Sequence, residues 1–141
     1  MVDVQKILEK ANALSHEDRI LKATEHVEAL KKLLAKEGYS EGEVNETLTS
    51  LTRLAVDGDN SATEEDFEIF AKATGIKMDI HEFFKLVKRG NLESFVSAMD
   101  EFVDSLKPET KKEALEFVAT FLTSDKLVSK EETALLIRLA E

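Results

Sequence analysis

The sequence predicts an all-α fold, a single-domain bundle of about seven or eight helices that includes two similar helix–loop–helix junctions. Three observations carry that reading. Apolar residues recur three and four apart over nearly the whole chain, as one face of a helix requires. The 141 residues include one proline and five glycines, too few turn-formers for a many-stranded β protein. No stretch alternates apolar and polar residues as a half-buried strand does. Hydrophobic residues at 43% and charged residues at 34% suit a folded domain rather than a disordered chain.

The first helix covers about Val2 to Ala13, with Val4, Ile7, Leu8 and Ala11 on one face. Ser15 and Asp18 then form a capping-box-like start, in which a hydroxyl accepts from an orphan helix N–H. The second helix runs to Lys36, presents Ile20, Ala23, Val27, Leu30 and Leu34, and stops at Gly38. Ser40 and Glu43 repeat the start signal for a third helix burying Val44, Leu48, Leu51 and Ala55. Thr63 and Asp66 open a fourth, with Phe67, Phe70 and Ala71 inward. Gly75 followed by Ile76 ends it, because glycine tolerates the left-handed conformation there.

A fifth helix begins near Asp79 and carries Ile80, Phe83, Phe84 and Val87 to Gly90. The sixth shows the clearest amphipathic stripe, through Leu92, Phe95, Met99, Phe102 and Leu106. Pro108 suits the first turn of a seventh, where its missing N–H costs nothing, and Leu115, Val118, Phe121 and Leu122 face inward. Ser129 and Glu132 cap a final helix bearing Leu135, Leu136 and Leu139. All eight phenylalanines lie between Phe67 and Phe121, so the centre of the core is expected in the second part of the chain.

Composition narrows the chemistry. Cysteine is absent, which removes disulfides, cysteine nucleophiles and thiolate metal sites. A net charge of −10 repels phosphate backbones, so no nucleic-acid binding is expected, and the charge points to cations or basic partners. Neither a leader peptide nor an apolar run long enough to span a membrane is visible, so a cytoplasmic location without membrane insertion is the expectation. No Gly-x-Ser-x-Gly elbow or phosphate-binding loop occurs, and enzymatic activity is not expected. The histidines form no catalytic set: His16 and His81 fall in helix first turns and His26 lies off the apolar stripe, so all three read as surface or capping residues.

The two junctions hold the functional signal. The first runs from Ala55 through Asp57, Gly58 and Asp59 to Thr63 and Asp66, and the second from Leu122 through Asp125 and Val128 to Ser129 and Glu132. In each, an apolar helix ends at an aspartate, and a Thr or Ser N-cap with an acidic residue three positions on opens the next helix. If the halves pack about a pseudo-two-fold axis, four carboxylates converge. Between Asp57 and Glu68 stand six acidic residues and no Lys or Arg. Capping alone does not require so many, and a cation would relieve their repulsion. The stretch departs from an EF-hand, since Ala62 stands where the sharp turn needs glycine and Glu64 where an apolar residue belongs.

On these residues the sequence resembles the TerB-like family of helical proteins, named for tellurite resistance, whose pattern A-D-G-x-[IV]-[ST]-x-x-E occurs twice. Asp125, Val128, Ser129 and Glu132 match the second copy, with Lys126 in place of Gly. Ala55, Asp57, Gly58, Thr63 and Asp66 match the first, with two extra loop residues and Asp in place of Glu. The resemblance divides the chain into an N-terminal helical extension, residues 1–38, and a TerB-like domain, residues 39–141. It implies a non-enzymatic binding module in a stress-type response, acting through a protein partner, with a divalent-cation site at Asp57, Asp66, Asp125 and Glu132. Asp59 joins that set on local chemistry, and oxygen-only ligands suit calcium or magnesium. The alternative is an acidic helical interaction or inhibitor protein that needs no metal, nucleic-acid mimicry included.

Overall fold

The computed structural model describes residues 3–59, 63–87, 92–124 and 130–140, the side chains of 57–59, 92–94 and 130–132 excepted. Among the described residues there are eight helices and no strand: α1 (Val4–Asn12), α2 (His16–Lys36), α3 (Glu41–Asp59), α4 (Glu64–Thr74), α5 (Ile80–Val87), α6 (Leu92–Ser105), α7 (Pro108–Leu122) and α8 (Lys130–Ala140).

The helix starts follow the capping chemistry of the sequence. Asp3 accepts from the Lys6 amide to open α1 at 3.1 Å, and Ser15 accepts from the Asp18 amide to open α2 at 3.1 Å. Ser40 and Glu43 bond reciprocally ahead of α3, at 3.0 and 3.2 Å. Gly75 ends α4 with φ 71°, and Gly38 follows α2 with φ 97°, both in the left-handed region that glycine enters without a Cβ penalty. The Ser129–Glu132 cap lies outside the described residues, as does Gly90.

Two local expectations are revised. In α4 the fully buried neighbour of Phe70 is Ile69, with Ala73 a turn further on, whereas Ala71 is only half-buried. The face is set by Asp66, Ile69, Phe70 and Ala73, a three-and-four spacing that leaves out Ala71. The second concerns α3, which does not end at Asp57 but continues to Asp59. Two aspartates thus occupy a last turn that contains no basic residue, at the negative end of the helix dipole.

One continuous core joins residues from α1 to α8. Its main contacts are α2 against α7 and α4, and α3 against α7. Residues 1–38 therefore contribute to that core directly: Ala23, Leu30 and Leu34 are as inaccessible as Leu48, Leu51, Phe70, Phe83, Phe117 and Leu122. Helix α2 runs antiparallel to α7. Arg19 meets Thr120 and Thr123, His26 meets Glu113 and Glu116, and Glu37 meets Lys107 and Thr110. No helix among the described residues is long and apolar enough to cross a membrane.

Candidate functional site

One hydrogen bond links the described residues of the two junctions, from Ser124 to Asp66. Asp66 closes a capping box at the start of α4: Oδ2 accepts from the Thr63 amide at 3.2 Å, and the Asp66 amide donates to Thr63 Oγ1 at 3.1 Å. Its other oxygen, Oδ1, accepts from the Ser124 hydroxyl at 2.9 Å, and Ser124 immediately precedes Asp125. Asp66 is 1% exposed. Burial pushes its pKa above the ordinary value, against the opposing pull of the Ser124 and Thr63 hydrogen bonds.

Of the five carboxylates assigned to a cation by the sequence, only Asp66 has a described side chain. Asp57 and Asp59 sit in the last turn of α3 and Glu132 in the first turn of α8, with their side chains outside the described residues, as is Asp125 entirely. Close to the Ser124 contact lies a buried cation of the chain itself. Arg19 is 1% exposed, and its Nη1 donates to the Thr120 carbonyl at 2.9 Å and to Thr123 Oγ1 at 2.6 Å, near the end of α7. A positive group there is favoured by the carbonyl end of the helix.

A second arrangement draws on side chains that the sequence reading put aside. Helix α2 presents two histidines, each facing a pair of glutamates spaced three apart on a neighbouring helix. His16 Nε2 lies 3.2 Å from Glu68 Oε1 and its Nδ1 3.9 Å from Glu65 Oε2, both on α4. Glu68 also accepts from Lys72 at 3.3 Å. The His16 hydrogen bond, followed by that of Lys72, lowers the Glu68 pKa below its ordinary value. On α7, Glu113 Oε2 is 2.8 Å from His26 Nδ1 and Glu116 Oε2 is 3.7 Å from Nε2.

The His26 group is the more enclosed, with side-chain exposures of 14%, 28% and 27% for His26, Glu113 and Glu116. One potential ligand atom from each residue lies within 4.8 Å of the other two. An imidazole nitrogen with two carboxylate oxygens is a donor set for a divalent metal ion, with positions left open for water or a ligand. His26 is accordingly no surface side chain: its ring is held between α2 and α7. The one signal for this group in the sequence is the Glu113-x-x-Glu116 spacing, which puts both carboxylates on one face of α7. Comparison with protein-family models, curated proteins and solved structures finds no match for the chain.

Proposed function

We propose that this chain is a non-enzymatic, TerB-like binding module of the cytoplasm that takes up a divalent cation and acts through a protein partner in a stress-type response. The observation that supports its cation-binding part is the His26–Glu113–Glu116 group, which brings three metal-ligating side chains from two helices within reach of one ion. Its donor chemistry favours zinc, manganese or another transition ion over calcium, which takes six or more oxygens. The −10 charge of the chain supplies the attraction for a cation and for a basic partner surface.

The test is thermal melting of the full chain with zinc, manganese, calcium and magnesium. An ion at a hundred times its dissociation constant adds about 2.7 kcal/mol, which for a domain of this size raises Tm by roughly 5–11 °C. Glu113→Gln and Glu116→Gln abolish that response and leave the metal-free melt near that of the parent. A response lost instead on Asp57→Asn with Asp125→Asn moves the cation to the junction carboxylates, with calcium or magnesium as the ion. Absence of any response leaves the metal-independent acidic interaction protein.

A further inference from the structure

We propose that the groove between α1, α2 and α7, whose wall includes His26 and Glu116 of the cation group, binds a free medium-chain carboxylate in the absence of metal. The groove is half open to solvent and has a volume of about 620 Å³, within the range of sites that take small organic ligands. Ile7, Ala11 and Leu14 from α1 and the following turn, together with Pro108 of α7, give it an apolar lining. Such a surface takes a hydrocarbon body and offers little to a fully polar ion.

The charge around this lining runs against that of the molecule. In a chain of net charge −10, four lysines from three helices line the groove: Lys6, Lys10, Lys22 and Lys112. Lys22 pairs with Glu25 at 3.2 Å and Lys112 approaches Glu116 at 4.0 Å, whereas no ion pair among the described residues engages Lys6 or Lys10. Both of the latter are exposed, one turn apart on the α1 face that carries Ile7 and Ala11. The lining acids are largely committed: Asp3 caps α1, and Glu116 faces His26 and Lys112, which leaves Glu109. An apolar lining with two uncommitted ammonium groups above it complements a molecule with a hydrocarbon tail and one anionic head.

Calorimetric titration of the full chain with monomeric octanoate, decanoate and dodecanoate, in buffer containing EDTA, tests the assignment. The expected result is saturable binding to one site that tightens about fourfold for each further methylene buried. Decyltrimethylammonium, with a comparable tail and opposite head, does not bind. Lys6→Glu and Lys10→Glu, changes at exposed positions that keep a cooperative melt, with Lys10→Glu lowering it slightly because it puts an acid in the last turn of α1, each weaken decanoate binding about tenfold. Absence of saturable binding, equal binding of the cationic analogue, or indifference to both lysine reversals would overturn the proposal. So would tight binding of inorganic phosphate, which lacks the tail, or binding only to vesicles carrying the same carboxylates. Because the titration is free of metal, its failure leaves the cation reading standing, and failure of the cation melt leaves this one.

Discussion

At Asp66 two requirements compete. The helix start needs a carboxylate to accept from Thr63, while burial disfavours the charge that makes it a good acceptor. For this group the folded pKa lies above the ordinary 3.8. Its contribution to stability is therefore greatest where it is protonated and is lost as pH rises from about 3.8 through the folded pKa. Glu68 has the reverse sign: its folded pKa lies below 4.5, so its contribution is present above that pH and is lost as pH falls through the folded value. Carboxyl carbon NMR titration should find Asp66 ionising above its ordinary value and Glu68 below. Ser124→Ala removes a hydrogen bond to the ionised form, so the Asp66 midpoint climbs further and urea melts at pH 7 show a loss of about 1–3 kcal/mol. An Asp66 midpoint unmoved by that change would mean that Ser124 does not engage it in solution.

Among the elements, α2 is the common partner of α4 and α7, with its apolar stripe against both and a histidine against a glutamate pair on each. The end of α4 permits a clean test of local conformation. A Cβ built on Gly75 meets nothing within 4 Å, so Gly75→Ala tests the φ of 71° without a clash. It should cost about 1–2 kcal/mol, the penalty of holding an L-residue left-handed. Gly75→Asn should cost less, since asparagine tolerates that region better. Denaturant melts of the pair check the order, and a neutral alanine variant would mean that the helix end relaxes.

For the whole molecule, the question is whether residues 1–38 are an appendage or part of the bundle. Ala23, Val27, Leu30 and Leu34 are buried against helices from the rest of the chain, so their removal uncovers the inner faces of α4 and α7. A fragment of residues 39–141 should therefore lose cooperative unfolding and bind a hydrophobic dye such as ANS, as judged by calorimetry and fluorescence. A sharp melt from that fragment would establish the two-part division that the family resemblance implies.

The sequence by itself determined the helices, because their causes act within three or four residues. Serine, threonine and aspartate caps, glycine stops and apolar stripes at helical spacing are all visible one after another along the chain. Even the phase error at Ala71 is a shift around one helix, not a misplaced element. The tertiary structure decided which helices face one another, and with that every grouping of functional side chains. His26 and Glu113 stand 87 residues apart, and Asp66 and Ser124 58 apart. No local propensity encodes such pairs. They meet because α2 docks antiparallel on α7, an arrangement that follows from burying Leu30, Leu34, Leu115 and Phe121 in the same core. Periodicity marks which face of a helix is buried, but many helix faces are apolar, and only their joint packing selects the partner.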